Sequence, residues 1–229
     1  MQTGPRAWIA EFIGTLSLIF IGSLSAAVAF EVLDGGAAGV VLAGLAHGLI
    51  VLAMIYALGA ISGCHINPAV TIALAAIGKF PIRATVWFIS AQLGGAVVGA
   101  LLHSWIRAKG ATQYGLPLPG NGVTESQALL LEAVLTFFLV TAVVGAAVSG
   151  KASRGFHGLA IGLTILASWL VGGALTGAAL NPARSFGPML VSLNFDSWWV
   201  YWVGPIAGGL VAAVIGSFIH NVRNDGDEA

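Results

Sequence analysis

Asn67-Pro68-Ala69 returns as Asn181-Pro182-Ala183, 114 positions further along the chain. Proline suits the first position of a helix, where its missing N–H costs nothing, and asparagine caps that helix well because its side-chain oxygen accepts a backbone N–H. The amide NH2 then still carries two donors, and each helix start presents roughly half a positive charge. Two such starts facing one another offer a small polar molecule donors alone, and offer a cation an adverse potential. This is a chemistry of orienting and excluding, with no bond made or broken. Aspartate would cap as well, but it would remove the donors and add negative charge, so the amide is informative.

Three further groups of residues bear on chemistry. Glu11 and Glu132 are carboxylates inside apolar stretches, where a buried charge needs a partner. The simplest partners are backbone N–H groups of nearby loops; the alternative is a proton relay in a coupled transporter. Arg184 directly follows the second Asn-Pro-Ala, and an arginine at membrane depth normally lies in a water-filled path. Ser62-Gly63-Cys64-His65 brings a hydroxyl, a thiol and an imidazole into one run. Adjacent residues rarely face each other as a nucleophile and its base must, so this run is not read as an enzyme site. Cys64 is the single cysteine, which excludes an intrachain disulfide framework.

The elements that must position these residues are membrane helices. Hydrophobic residues make up 58% of the chain and charged ones 8%, against roughly 25% charged in a soluble domain. A hydrocarbon core about 30 Å thick needs roughly 20 apolar residues of helix. Six stretches qualify: 8 to 30, 40 to 60, 82 to 105, 127 to 148, 157 to 174 and 198 to 219. The apolar runs after Asn67 and Asn181 supply only two or three turns each, too short to span, so they read as half-helices dipping in from opposite faces. Arg6, the following apolar run and Ala27-Val28-Ala29 also have the form of a cleavable leader, but Glu11 is a poor residue for one and the segment is part of the repeat.

That repeat covers most of the chain. Gly44-Leu45-Ala46 with Gly48-Leu49 reappears as Gly158-Leu159-Ala160 with Gly162-Leu163, and Ser62-Gly63 as Thr176-Gly177, both at the Asn-Pro-Ala offset. Glu11 and Glu132 correspond at an offset of 121. Residues 1–115 form the first copy and 116–229 the second, together one membrane domain. Three spans per copy make the second copy enter from the opposite side, an inverted repeat. Placing Arg6, Lys79, Arg83, Lys151, Arg154 and Arg223 inside leaves Arg107 and Lys109 outside and puts both termini in the cytoplasm. The polar tail after His220 reads as disordered. The formal net charge of zero gives no argument for nucleic acid. Gly-xxx-Gly pairs such as Gly95 with Gly99 and Gly204 with Gly208 allow close helix crossings.

The two motif regions, Ser62 to Thr71 and Thr176 to Pro188, together with Ala10-Glu11-Phe12-Ile13-Gly14-Thr15, resemble the signatures of the aquaporin, or major intrinsic protein, family. The resemblance implies an all-α membrane protein with six transmembrane helices and two re-entrant half-helices in an inverted repeat around a pore, assembled as a homotetramer with no cofactor. It implies a passive channel for water, with glycerol, ammonia or another small neutral solute as the alternative. By the family's spacing the constriction falls on His47, Trp169, Ala178 and Arg184, with Glu11, Glu132 and His65 supporting the loops. Water-selective members usually carry phenylalanine, histidine and cysteine at the first three of those positions, and glycerol facilitators a bulky aromatic, glycine and phenylalanine. Trp169 is expected to fill much of the space that glycine leaves open for a polyol. Ser185, where glycerol facilitators carry aspartate, and Tyr201-Trp202 favour water. Cys64 is the repeat counterpart of Ala178 and is expected to face the pore, as a target for mercurials. The expected location is the plasma (inner) membrane, with the lipid bilayer and water as partners.

Overall fold

The computed structural model describes residues 2–33, 35–110, 112–153 and 155–222. Among them are α1 (Pro5–Glu31), α2 (Gly36–Ser62), α3 (Pro68–Ala76), α4 (Ile82–Ile106), α5 (Glu125–Val143), α6 (His157–Gly172), α7 (Pro182–Ser192) and α8 (Val200–His220). In each half two long helices, a short one and a further long one follow in that order. Arg154, Arg223 and the tail beyond Val222, which entered the orientation and disorder readings, lie outside the described residues.

Among the described residues five helices are long and apolar enough to cross a membrane: α1, α2, α4, α8 and α5 taken through the π-helical turn Val144–Val148. The sixth, α6, has 16 residues. Thr176 N donates to Gly172 O at 2.8 Å and Gly177 N to Gly173 O at 3.2 Å, so helical pairing continues to Gly177. The segment from 157 to 176 is then about 30 Å long at 1.5 Å per residue, enough to span. Ile82, Trp105 and Phe218 turn outward with more than two thirds of their surface uncovered, which is how a lipid-facing helix ends its apolar face.

Where lipid supplies no drive for helices to associate, contact depends on close backbone approach. Gly48 of α2 and Gly162 of α6 face each other across the junction of the halves: a Cβ on Gly48 would stand 2.6 Å from Gly162 O, and one on Gly162 2.7 Å from Gly48 O. Within the halves, Gly95 of α4 lies against the Phe12 carbonyl of α1, and Gly208 of α8 against the Ala133 carbonyl of α5. Phe12 and Ala133 each follow the matched glutamates Glu11 and Glu132, so the same crossing is built twice.

Candidate pore and its constriction

The loops that precede α3 and α7 have the same unusual backbone. Gly63, Cys64 and Ile66 have φ of 89°, 51° and 42°; Gly177, Ala178 and Leu180, their repeat counterparts, have 77°, 39° and 52°. Each non-glycine residue held in this region costs about 1–3 kcal/mol, and a β-branched residue such as Ile66 is a genuine outlier there. Two buried carboxylates offset that cost. Glu11 Oε1 accepts from Ser62 Oγ at 2.6 Å and His65 N at 2.9 Å, and its Oε2 accepts from Ile66 N at 2.6 Å. Glu132 Oε1 accepts from Thr176 Oγ1 at 2.7 Å and Ala179 N at 2.9 Å, and its Oε2 from Leu180 N at 2.7 Å. Each carboxylate therefore holds two consecutive N–H groups of the loop that its own half contributes.

The loops end at the two asparagines, which cap their helices as the sequence predicts. Asn67 Oδ1 accepts from Ala69 N at 2.9 Å, and Asn181 Oδ1 from Ala183 N at 2.9 Å and Arg184 N at 3.3 Å. Pro68 and Pro182 take the first helical positions, followed by Ala69 and Ala183. The number of amide donors left over differs from the expected two. Asn67 Nδ2 donates to Leu180 O at 2.9 Å and Asn181 Nδ2 to Ile66 O at 2.8 Å, so the loops are stitched crosswise and each amide keeps one N–H.

Around this junction three cavities follow one another. The first, of about 230 Å3, is lined by Cys64, His65, Ile66, Asn67, Val148 and Ile161 among others. The second, of about 30 Å3, is shared by His47, Trp169, Ala178, Arg184 and both asparagines. The third, of about 210 Å3, is lined by Gly115, Leu116, Gly177, Trp169 and Arg184. Asn67 and Asn181 line both the first and the second, and Trp169 and Arg184 both the second and the third. The small cavity thus lies between the two wide ones as a neck with room for roughly two waters.

His47, Trp169, Ala178 and Arg184 meet in that neck from α2, α6, the second loop and α7. The His47 and Trp169 rings lie 4.4 Å apart, and the Arg184 guanidinium carbon is 5.8 Å from the indole centre. Arg184 Nη1 donates to Gly115 O at 2.8 Å. His47 Nδ1 lies 2.8 Å from Ala43 O; a carbonyl only accepts, so this nitrogen carries a proton, and in the neutral ring Nε2 carries a lone pair. His47 Nε2, Trp169 Nε1 and Arg184 Nε are buried without a hydrogen-bond partner among the described residues. His65 sits on the wide side of the junction, Nδ1 3.2 Å from Thr71 Oγ1 and its ring against Phe80 and Phe88. Cys64 lines the larger cavity, and a Cβ on Gly14 would stand 3.7 Å from its Sγ.

The family model described as "Major intrinsic protein" matches residues 2–216. The chain belongs to the major intrinsic protein family. It is 41% identical to a protein named aquaporin AqpM of Methanothermobacter marburgensis, over 93% of this chain and 97% of that one. It is 40% identical to aquaporin TIP4-4 of Zea mays, over 92% and 84%. Among solved structures, an aquaglyceroporin of Plasmodium falciparum superposes with a TM-score of 0.82 at 28% identity, covering 95% of this chain and 99% of that one. Major intrinsic proteins are integral membrane channels and not enzymes, and the Ser62 hydroxyl is committed to a hydrogen bond that it donates to Glu11.

Several residues that build this major intrinsic protein's site were not foreseen in such roles. Gln92 of α4 donates from Nε2 to Glu11 Oε2 at 2.8 Å and to Thr71 Oγ1 at 2.9 Å. Three residues before Gly208, as Gln92 is three before Gly95, stands Pro205, which has no side-chain donor; Tyr201 of α8 instead donates to Thr176 O at 3.0 Å. A polar residue amid the apolar α4 was the available signal for Gln92. Gly115 carried no signal as the acceptor for Arg184, because a carbonyl has no side-chain signature.

Proposed function

We propose that this major intrinsic protein is a passive channel that conducts water in single file and excludes ions and protons. The observation that carries this reading is the 30 Å3 neck between two far larger cavities, bounded by Arg184, His47, Trp169, Ala178 and the two asparagines. Water passing there exchanges its neighbours for the remaining Asn67 and Asn181 N–H groups and the Arg184 donors. The two helix starts at Asn67 and Asn181 and the fixed charge of Arg184 oppose a cation in the same place. Glu11 and Glu132 support the loops, and neither lines any of the three cavities. This favours a channel over a transporter that would load protons on those carboxylates. The names of the curated relatives, aquaporins of an archaeon and a plant, support water as the permeant.

A second reading, passage of glycerol or another small neutral solute such as ammonia, draws support from the likeness to the aquaglyceroporin. Stopped-flow light scattering on proteoliposomes separates the two. Fast shrinkage in an impermeant osmolyte, linear in the gradient and without re-swelling in glycerol, is the expected result. Re-swelling in glycerol, or alkalinisation under ammonium, would transfer the neck to the other solute; flux that saturates or needs a proton gradient would end the channel reading. In the same assay a mercurial blocks through Cys64, and Cys64→Ser removes the block. The proposal further comprises a homotetramer in the plasma (inner) membrane, two repeat copies at 1–115 and 116–229, and termini in the cytoplasm. The 230 Å3 cavity then opens inward and the Gly115 side faces out.

A further inference from the structure

His47 and Trp169 are the two ring-bearing residues at the neck, yet an opening remains between them and Arg184. Glycines of α1, of α2 and of the position just past α6 make the room. A Cβ on Gly22 of α1 would stand 2.5 Å from His47 Nε2, 2.6 Å from Cδ2 and 3.0 Å from Cε1. One on Gly44 of α2 would stand 2.8 Å from Trp169 Cβ, and one on Gly173 2.8 Å from Trp169 Cε3. Gly44 and Gly173 relieve the root and one edge of the indole, whereas Gly22 receives the whole outer edge of the imidazole. That ring has little freedom elsewhere. Nδ1 is tied to Ala43 O on its own helix at 2.8 Å, and its other side meets the indole at a centroid separation of 4.4 Å. A methyl group at position 22 therefore leaves the imidazole one way to move, toward the cavity it shares with Arg184 and Ala178.

We infer that Gly22 is a positioning residue of the channel: the side chain it lacks is the recess that keeps His47 out of the conducting path and sets the aperture of the neck. The inference rests on the channel reading. It holds for whichever neutral solute passes, because the aperture limits all of them. It also changes the meaning of the bulky pair. Trp169 does not by its volume alone close the neck; its ring and that of His47 are set back into walls thinned by glycine, and the width depends on the wall as much as on the ring.

The test is a cycle of four purified proteins in proteoliposomes: wild type, Gly22→Ala, His47→Ala and the double variant, each assayed for osmotic water flux and for glycerol flux per channel. Gly22→Ala is expected to reduce the wild-type flux about tenfold, the factor that modest overpacking produces when it falls on a barrier. In the His47→Ala background the same substitution is expected to change flux less than about twofold, since no ring remains to be displaced. An equal loss in both backgrounds would mean that Gly22 serves only the crossing of α1, and no loss in either would mean that the recess does not matter; both overturn the inference. If Gly22→Ala does not assemble, the double variant, whose methyl occupies space the ring has vacated, is expected to assemble and conduct; failure of both overturns the inference as well. A wild type inert to water and glycerol alike would overturn the channel reading and this inference with it. An active wild type lacking the pattern would overturn the inference alone.

Discussion

Glu11 and Glu132 each divide two consecutive backbone N–H groups between their two oxygens: His65 and Ile66 in one case, Ala179 and Leu180 in the other. An amide in place of either carboxylate has one accepting oxygen, so one of those N–H groups must face an NH2 group inside the bundle. Leaving a buried donor unsatisfied costs about 1–3 kcal/mol, more where the lost acceptor was charged. Glu11→Gln and Glu132→Gln are therefore each expected to lower thermal stability, read as an earlier loss of helical circular dichroism in detergent. Unchanged unfolding in both would mean that the loops keep their left-handed residues without the carboxylates. Asparagine at 67 and 181 is constrained in a different way. Its oxygen caps a helix while its NH2 binds a carbonyl of the other half, so aspartate would keep the first contact and lose the second.

At the scale of elements, the connection from α4 to α5 acts as a strap across one mouth. Glu31 at the end of α1 pairs with Arg107, Oε2 standing 3.1 Å from both Nε and Nη2. Its Oε1 accepts from Thr112 N at 2.8 Å and from Thr112 Oγ1. Lys109 Nζ donates to Ser192 O at the end of α7 at 3.0 Å, and Asn194 Nδ2 to Gln113 Oε1 at 3.1 Å. Leu116 N then donates to Thr112 O at 2.9 Å, which brings the Gly115 carbonyl to Arg184. Gly115 has φ of 73° and sits so close to α1 that a Cβ would stand 2.6 Å from Ser23 O; a side chain there would move the carbonyl. Removing the charge at Glu31 weakens both anchors at once. Glu31→Gln is expected to speed tryptic cleavage after Arg107 and Lys109 about tenfold, the factor for ~1.4 kcal/mol of local stability. Equal cleavage rates would show that the other contacts hold the strap unaided.

For the whole molecule, six crossings return the chain to the side it started from, so α1 begins and α8 ends on one face. Arg6, Lys79, Arg83 and Lys151 belong to that face by the order of the helices, while Arg107 and Lys109 belong to the other, where both are engaged by Glu31 and Ser192. The bias of basic residues sets which face is retained inside. Tags on the N- and C-termini are both expected to be shielded from protease in intact cells and cut in inverted vesicles. Cleavage of either tag in intact cells would reverse or break the proposed topology.

What the sequence by itself determined was whatever is local or duplicated. The half-helices were legible because Asn-Pro-Ala states a cap and a start within three residues, and the inverted pairing because the motifs recur at one offset. The buried glutamates were legible as loop partners because no charge lies in an apolar helix without one. The spans were legible to within a few residues because lipid permits little besides helix. Only the tertiary structure decided the rest, since it depends on atoms with no signature in sequence. Carbonyls of Ile66 and Leu180 took one donor from each asparagine, the carbonyl of Gly115 received Arg184, and the empty space over Gly22 admitted His47. In each case the partner lies on a different element, and the deciding quantity is a distance of a few tenths of an ångström between packed segments.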